Sequence, residues 1–539
     1  MGVAVGHRRF GRRACVAATT VALLGVFAAS RPAAAAAVKF DPNAVLKVGD
    51  FQVNNQVTVL DPRLTRSNND STWMSAMYAP LMSFDRKTNK FAPYLASTVT
   101  VVDNKTIKIE LRADAKFDTG APVTAADAKA TIEASRENFR ASKANGLRAE
   151  LLLIDNVEVT STTGFTIHLN APGLGAIFDL LADRSTYIIP ANAGATQNTK
   201  PVTNGAFKFV SFTQGQSIVL EKSTTFWDAK NVNLKGIQFI NLLPGTPQTN
   251  ALLAGDVQYA EDIDPSGLPA LTGKFNTLKS INPEAYFYID MCKLSSNFFG
   301  DLKIRQALAY GTDRAALAKI ASGGTSVAAY EQIAPGDARF NPALPKLYKY
   351  NINKSKALLA QAGVKDGTQI SLVVANSLAQ FTPMGLILKD QWTKIGLTVN
   401  IVPTTDLVGA WINPALRSQP PSTTTLALNQ ASRAGLQKLT RYFGTNGPAN
   451  PCNYQNTTLN QLMTDLNGLS PSDPQAVAKW KQAEQIAIGD DVAMIPTMYT
   501  PVVRAWSKSI GTTGAVNPLT YPLGSNQTTW QQVYIKASK

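Results

Sequence analysis

The amino-acid sequence predicts an α/β fold with two lobes or more. Its 539 residues exceed what one hydrophobic core can organise, because single cores stop growing at about 250–300 residues. Hydrophobic residues make up 45% of the chain and charged residues 17%, a balance typical of globular proteins. Between Gln369 and Pro403, two near-continuous apolar stretches flank an amphipathic one. This pattern is typical of a strand–helix–strand unit in a parallel sheet covered on both faces.

The first 37 residues are predicted to be a secretory signal peptide that is not part of the fold. Val16 to Ala29 is apolar, and an alanine run to Ala37 provides small-residue cleavage sites. The basic region before them contains Arg8, Arg9, Arg12 and Arg13. An uncleaved membrane anchor is the alternative. The length of the apolar run argues against it, because a bilayer span needs roughly 20 apolar residues. The Arg8-Arg9-Phe10 triplet leaves general and twin-arginine export both open.

The next elements alternate between strands and helices. Leu46 to Phe51 is a short buried-strand candidate, and Thr106 to Arg112 alternates apolar and polar residues as a half-buried strand does. The sequence FDTGAPVTAAD is a turn that leads into a capping box, with Thr124 at the N-cap and Asp127 at N3. The helix is predicted to run to about Arg140, and NVEVTST and FTIHLN are predicted to be strands.

The segment from Tyr78 to Asn138 joins FDRKTNK, the strand TIKIELR and the capping box in one succession. In order and spacing it closely resembles the family 5 extracytoplasmic solute-binding proteins of ABC importers, the peptide- and nickel-binding group. The resemblance continues through GIQFINLLPGTPQTNALLAGDVQYAED and DLKIRQALAYGTDRAALAKI, and it is sharper before residue 320 than after it. It implies a bilobal α/β periplasmic-binding-protein fold of class II, in the large cluster with an extra subdomain, with mixed sheets and a hinged cleft.

The resemblance also implies a domain layout and a location. The expected parts are a signal peptide (1–37), a first lobe in two parts (38–80 and 201–282), an inserted subdomain between them (81–200), a second lobe (283–509) and a return to the first lobe (510–539). Many relatives carry a lipid-modified cysteine just after the apolar run, whereas Cys15 precedes it here. We therefore expect an exported, periplasmic or envelope-associated protein without a lipid anchor.

The later elements have recognisable ends. Phe207 to Leu220 is predicted to be a hairpin, and Thr312 or Asp313 is expected to cap the helix that follows. Glycines end three further predicted helices, at Gly255, Gly363 and Gly396. The sequence DVAMIPTMYTPVVRAW is predicted to supply late strands.

The residues of the mature chain argue against catalysis and against a resident metal. His168 is its one histidine, it is expected on the solvated face of a strand, and no GxSxG elbow accompanies it. One histidine and two distant cysteines cannot form a usual zinc or nickel shell. GxGxxG and P-loop patterns do not occur in the sequence. We therefore predict no catalytic residues, no metal ligands and no cofactor.

Charge and cysteine content fit an exported protein. The predicted signal peptide carries five arginines and no acidic residue, so its removal lowers the formal net charge from +15 to about +10. This remaining excess is spread along the chain without a dense basic run or aromatic–basic interleaving, which argues against nucleic-acid binding. Outside the signal peptide the cysteines are Cys292 and Cys452. In an oxidising compartment they are candidates for a disulfide, and two buried thiols are the alternative.

At the ligand site the chain departs from the family's pattern. Many peptide-binding relatives have a strand ending GWGADYPDP, whose aspartate pairs with the ligand's α-ammonium group. The resemblance aligns this segment with ALNQASRAG (Ala427 to Gly435), which puts Ala431 at the aspartate position and Arg433 two residues later. A buried ammonium without a counter-charge is costly, so a peptide with a free amino terminus is disfavoured. The alternatives are an alignment shifted by a few residues, or Asp406 as the source of the charge.

The predicted ligand contacts come from two segments and one tryptophan. They are Asn69, Asp70, Thr72, Trp73, Trp411, Leu428, Asn429, Gln430, Ala431 and Arg433. The polar groups near Ala431 suit hydroxyls, amides or a carboxylate. Trp73 and Trp411 fit an ordinary core equally well.

The sequence thus predicts a monomeric, exported protein that binds a peptide-like or other small solute and delivers it to ABC permease subunits in the membrane. The solute is expected to be an oligopeptide, a modified peptide or another polar oligomer. One alternative is a secreted hydrolase on a bilobal scaffold, which would have to use His168. Another is an envelope receptor or assembly protein without transport.

Overall fold

A computed structural model describes most of the chain. The described residues are 39–50, 59–65, 71–85, 90–141, 149–243, 245–291, 298–375, 380–404, 423–429, 436–445, 447, 449–450, 452, 454–470, 473–513 and 530–537. Every described helix and strand belongs to one compact unit, residues 40–539. Across the described ranges, no helix combines the length and apolar character that a bilayer span requires. The predicted signal peptide lies outside the described residues and stays a prediction.

The described strands are β1 (Val45–Asp50), β2 (Met82–Asp85), β3 (Lys90–Pro93), β4 (Ala96–Asp103), β5 (Thr106–Leu111), β6 (Ile154–Val159), β7 (Gly164–Leu169), β8 (Phe207–Thr213), β9 (Ser217–Lys222), β10 (Gly236–Asn241), β11 (Tyr259–Ala260), β12 (Phe275–Met291), β13 (Thr368–Ala375), β14 (Leu397–Thr404), β15 (Thr423–Asn429), β16 (Met494–Ser507), β17 (Ile510–Thr512) and β18 (Val533–Ile535).

Most of these strands belong to one mixed sheet. Within the described residues its order is β14-β13-β15-β12-β16-β11-β1-β10-β9-β8, and β4, β5, β7 and β6 form a separate antiparallel sheet. The central pair β12 and β16 joins a first half of the large sheet (β1 and β8 to β11) to a second half (β13 to β15). The late strands predicted from DVAMIPTMYTPVVRAW are a single strand, β16, so that prediction is corrected.

The described helices are α1 (Ser71–Met77), α2 (Ala125–Arg140), α3 (Leu174–Leu181), α4 (Thr246–Ala254), α5 (Leu268–Leu271), α6 (Leu302–Tyr310), α7 (Arg314–Ala321), α8 (Ile352–Gln361), α9 (Phe381–Lys394), α10 (Gln437–Phe443), α11 (Thr457–Asn467) and α12 (Pro474–Glu484). The predicted capping box opens α2: Thr124 Oγ1 accepts from Asp127 N at 3.3 Å, and Asp127 Oδ2 accepts from Thr124 N at 2.8 Å.

The predicted ends of other elements are also confirmed. Gly255, Gly363 and Gly396 follow α4, α8 and α9 with φ of 82°, 73° and 100°, the left-handed region that favours glycine. Asp313 rather than Thr312 caps α7, because its side chain accepts from Ala316 N at 3.0 Å. The hairpin expected between Phe207 and Leu220 is the antiparallel pair β8 and β9.

The predicted strand–helix–strand unit is β13, α9 and β14, and its strands are parallel in a continuous register from Thr368 opposite Leu397. The expectation that both strands are covered on both faces is wrong for β14. That strand is the edge of the sheet, its residues alternate between buried and exposed, and Val402 is 43% exposed. Residues of β13 from Leu372 onward are buried, and this strand is an inner strand with a neighbour on each side.

Buried side chains form separate cores along the chain. One core gathers residues from Ala79 to Ile188 around the four-stranded sheet, α2 and α3, within the segment predicted to be an inserted subdomain. Another packs β1, β8 to β10 and α1, and it includes Trp530 from the C-terminal segment. The second half of the large sheet has one core on each face, one around α9 and one around α10 to α12. The domain boundaries themselves stay a prediction.

Candidate functional site

Two long strands carry the chain between the halves of the large sheet. β12 contributes Phe275 to the core around α4 and α5, and Phe287 to the core around α9. β16 runs in the opposite direction between the same two cores. The register of the pair shifts between Asn282 and Tyr286, and an irregularity of this kind bends a strand locally. The pair is therefore irregular between the segments that contribute to the two cores.

A cavity of about 490 Å³ lies beside these strands. From the first half of the sheet, residues that follow β10 and β11 line the cavity. From the second half, residues at the end of α7 and at the start of α9 line it, and β16 contributes two residues. The lining consists of Gly245, Asp262, Ile263, Asp264, Pro265, Ser266, Ala321, Ser322, Gly323, Thr325, Gln380, Pro501 and Val503. Its two walls come together at Pro265 and Gly323, where a Cβ atom built on Gly323 would lie 3.7 Å from Pro265 Cβ. The volume is in the range of small-molecule sites.

The wall from the first half is acidic. Asp264 Oδ1 accepts from Ser266 N at 2.8 Å and from Ser266 Oγ at 2.7 Å, which orders the turn at this edge. The backbone of Asp262 is fixed by its N–H, which donates to Gln248 Oε1 at 3.0 Å, and by its carbonyl, which accepts from Gly245 N at 2.7 Å. The Asp262 carboxylate makes no hydrogen bond within the described part of the chain. Asp262 is one of the residues that line the cavity.

A buried group of charges lies behind this wall, at the ends of β1, β11 and β16. It contains Asp50, Glu261 and Arg504, which are 0%, 6% and 4% exposed. Burial raises the pKa of Glu261 well above its usual value, the Asp50 carboxylate raises it further, and Arg504 lowers it. Burial also raises the pKa of Asp262, and Arg504 opposes that shift. Glu261 and Asp262 thus both lie in the field of the Arg504 guanidinium.

The wall from the second half is small and uncharged. Ser322 Oγ donates to Ala318 O at 2.6 Å and accepts from Ser326 N at 2.9 Å. Thr325 Oγ1 donates to Ser322 O at 2.5 Å, so both hydroxyl hydrogens are used inside the protein. The amide of Gln380 makes no hydrogen bond to a described residue, and it adds a donor and an acceptor to this wall.

The first predicted ligand segment is partly outside the described residues. Asn69 and Asp70 lie outside them, whereas Thr72 and Trp73 are in α1 and are buried, at 2% and 0% exposure. The indole N–H of Trp73 donates to Val59 O at 3.1 Å, and the ring belongs to the core around β1. This placement favours the core alternative for Trp73 that the sequence left open.

The second predicted segment is described at Leu428 and Asn429, and there only in its backbone. Leu428 and Asn429 end β15, opposite Phe287 and Tyr286 of β12, and so they lie where the two halves meet. Five other residues of interest fall outside the described residues: Asp406, Trp411, Gln430, Ala431 and Arg433. Their proposed roles stay predictions.

The remaining candidate side chains lie elsewhere. Cys452 is disulfide-bonded, but Cys292 lies outside the described residues, so the pairing of these two cysteines stays a prediction. His168 is half-exposed in β7, with its Nε2 3.1 Å from Glu158 Oε2. Among the described residues, no three His, Cys, Asp or Glu side chains are grouped to hold a metal ion.

Sequence reasoning missed the acidic wall. Its signal was present in the run Glu261, Asp262 and Asp264, which directly follows β11. Because β11 pairs in parallel with β1, this run lies at the carboxyl ends of parallel strands, the edge where open α/β sheets usually bind ligands.

The comparisons with known proteins agree on one family. A family model described as "Bacterial extracellular solute-binding proteins, family 5 Middle" matches residues 90–432. The glutathione-binding protein GsiB from Salmonella choleraesuis is 27% identical over 365 residues, which cover 65% of this chain and 68% of that protein.

Solved structures share the fold. A putative peptide binding protein, AppA from Clostridium difficile, aligns with a TM-score of 0.76 at 21% identity, covering 92% of this chain and 100% of that chain. DppA from Helicobacter pylori, in complex with the peptide STSA, aligns with a TM-score of 0.72 at 17% identity, covering 93% and 99%. The periplasmic-binding-protein fold expected from the sequence is confirmed.

Proposed function

This protein belongs to the family 5 bacterial extracellular solute-binding proteins, and from this premise we propose how it captures its solute. Proteins of this family are the solute-binding components of ABC importers, they act outside the cytoplasm, and they are binding proteins rather than enzymes. The main function predicted from the sequence is confirmed at this level. It is favoured over the hydrolase and the receptor without transport.

The proposed solute site is the cavity between the two halves of the sheet. The observation that carries this proposal is the lining, because residues of both halves face each other beside β16. A solute held there contacts both halves at once. It stabilises the closed arrangement to the extent that it binds that arrangement more tightly than the open one.

The proposed solute is an oligopeptide, a modified peptide or another polar oligomer. The glutathione-binding relative and the peptide-bound structure support a peptide-like ligand. The polar lining supports a polar solute, since Asp262, Asp264 and Gln380 keep hydrogen-bonding capacity within the described part of the chain. The sequence prediction at Ala431 adds that the solute does not depend on an α-ammonium group at that position.

In this proposal the protein is exported without a lipid anchor, works as a monomer, and performs no catalysis. It hands the solute to permease subunits in the membrane, and the energy-coupling subunit is a separate protein. His168 takes no part in binding, because it pairs with Glu158 on the four-stranded sheet and does not line the cavity.

Native mass spectrometry of the protein purified from its expressing cells tests this function. We expect a population with one bound solute that is lost after mild unfolding and refolding, and that returns when the extracted solute is added back. The extracted solute should also raise the melting temperature, since a ligand that binds only the folded state stabilises it. A protein without a bound solute, and without a thermal shift in a peptide library, would contradict the proposal.

A further inference from the structure

We propose that the start of α3 and the end of α11 form a latch that favours the closed arrangement and slows release of the solute. The latch is the contact of Gly175 with Leu466 and Leu469. This inference rests on the proposed function, because it takes closure around a solute as the event that the latch affects. It goes further by naming a second contact, outside the cavity lining, that holds the parts of the protein together.

Two backbone segments approach closely at the latch. A Cβ atom built on Gly175 would lie 3.0 Å from Leu469 O and 3.1 Å from Leu466 O, which is shorter than the roughly 3.5 Å at which non-bonded atoms pack well. Both oxygens belong to the backbone, so they cannot move aside by a change of side-chain rotamer. Any side chain larger than hydrogen at position 175 would therefore push the two segments apart.

The latch joins parts of the molecule that have separate cores. Leu174 and Leu180 of α3 belong to the core around the four-stranded sheet, whereas Leu466 belongs to the core around α10 to α12. The four-stranded sheet is attached to the first half of the large sheet, since Tyr94 and Trp227 pack against both its core and the core around β1. The latch therefore connects the first half to the second at a place other than β12, β16 and the cavity.

The two helix ends that meet have opposite partial charges. Gly175 lies in the first turn of α3, which begins at Gly173 without a side-chain cap. Leu466 lies in the last turn of α11, and Leu469 follows two residues after its end. A helix start is partially positive and a helix end partially negative, so the arrangement is attractive. An attraction of this size can be broken and re-formed as the protein opens and closes.

The latch and the solute act on the same equilibrium. An interaction that is made only in the closed arrangement raises the population of that arrangement, and with it the apparent affinity for a solute. None of the three latch residues lines the cavity, so the latch does not choose between solutes. Its effect is on how long the protein stays closed, and therefore on how fast a bound solute leaves.

Hydrogen exchange followed by mass spectrometry tests the latch on the side that is not mutated. In Gly175→Ala, amides of residues 466–470 should exchange about two- to fivefold faster than in the wild type, the scale of an interaction between helix ends. Gly175→Val should give at least the same effect, because its side chain is larger. Gly194→Ala and Gly194→Val are the matched controls, since a Cβ on Gly194 meets nothing within 4 Å.

Stability separates a latch from a contact that only supports folding. Alanine has a higher helix propensity than glycine, so Gly175→Ala should not lower the melting temperature of protein freed of solute. The same variant, as purified, should lose its solute about two- to fivefold faster during dialysis, measured by native mass spectrometry. A lower melting temperature with an unchanged rate of solute loss would assign Gly175 to folding alone and overturn the inference.

Unchanged exchange of residues 466–470 in both Gly175 variants would also overturn it, and circular dichroism checks that these variants remain folded. A failure of the proposed function gives a different result. Protein that carries no solute as purified contradicts the proposed function, whereas solute-loaded Gly175→Ala with wild-type exchange and wild-type release contradicts the latch alone.

Discussion

Asp127 fixes the start of a helix and a distant loop with one carboxylate. Its Oδ2 accepts from Thr124 N at 2.8 Å and from Thr124 Oγ1 at 2.7 Å, and its Oδ1 accepts from Ala191 N at 2.7 Å. The capping box was predictable because its members lie three positions apart. The bond to Ala191 was not, because it spans 64 positions and depends on how the subdomain packs.

Replacing Asp127 should therefore cost more than replacing the cap itself. We expect Thr124→Ala to lower the free energy of unfolding by about 1 kcal/mol, and Asp127→Ala by about 2–3 kcal/mol, since it also leaves Ala191 N without its acceptor. Urea denaturation measures both, with Thr196→Ala as an exposed control. Equal losses in the first two variants would show that the bond to Ala191 adds no stability.

Glu331 and Glu484 form a second residue-scale feature, a pair of fully buried carboxyl groups. Glu331 accepts from Asn341 N at 2.9 Å, and Glu484 accepts from Gln332 N at 3.4 Å. Burial and the neighbouring Glu484 raise the pKa of Glu331, and burial raises the pKa of Glu484 despite Lys438 and Arg339 nearby. When a group has a higher pKa in the folded than in the unfolded protein, its stabilising contribution is fully present at a pH below the unfolded-state pKa. That contribution is lost as the pH rises toward the folded-state pKa.

Glu484→Gln should remove part of this pH dependence. Glutamine keeps an acceptor for Gln332 N but cannot ionise. The free energy of unfolding of Glu484→Gln, relative to that of the wild type, should therefore increase as the pH rises. The slope should be up to about 1.4 kcal/mol per pH unit between about pH 5 and about pH 8. Urea denaturation across this range measures it, and Glu221→Gln is the exposed control. Parallel curves for wild type and Glu484→Gln would contradict the shift.

At the scale of elements, helix ends were readable from the sequence and helix contacts were not. The glycine after α9 was predicted as its end because a left-handed residue is a local requirement. Gly385 inside the same helix has a different role, since a Cβ there would lie 2.8 Å from Val374 Cγ2. That role depends on β13 lying under α9, which the sequence of α9 alone does not contain.

Gly385→Ala should destabilise the contact between α9 and β13. Overpacking costs about 1–3 kcal/mol, and the better helix propensity of alanine offsets about 1 kcal/mol of it. A double-mutant cycle with Val374→Ala isolates the contact, because the cost of Gly385→Ala should disappear once the valine methyl groups are gone. Gly194→Ala is the control, since a Cβ there meets nothing within 4 Å. If Gly385→Ala lowered the free energy of unfolding equally in the Val374→Ala background, the contact with Val374 would not be the cause.

At the scale of the whole molecule, the family and fold were predictable, but only part of the candidate site was. The family pattern between Tyr78 and Asn138 is local, and a local pattern can be read along one chain. The cavity instead joins loops near residues 245, 262–266, 321–325 and 380. These segments meet because β12 and β16 cross between the halves, and no spacing in the sequence encodes that meeting.

The contact between Pro265 and Gly323 allows a test of motion between the halves. A Cβ on Gly323 would lie 3.7 Å from Pro265 Cβ, within the range of about 3.5–4.5 Å found in disulfides. Oxidised Pro265→Cys/Gly323→Cys should therefore hold the two walls together. If solute exchange requires the halves to separate about β12 and β16, exchange of a labelled solute should become much slower on oxidation and recover on reduction.

The single variants serve as controls for this test, because neither can form the bridge and each keeps its own local cost. Gly323 has a φ of 56°, so Gly323→Cys carries backbone strain that must be measured separately by denaturation. Wild type treated with the same reductant controls for the disulfide of Cys452. Equally fast exchange in the oxidised and the reduced double variant would contradict a hinge at this pair of strands. The solute would then enter and leave the cavity while a covalent bridge holds its two walls together.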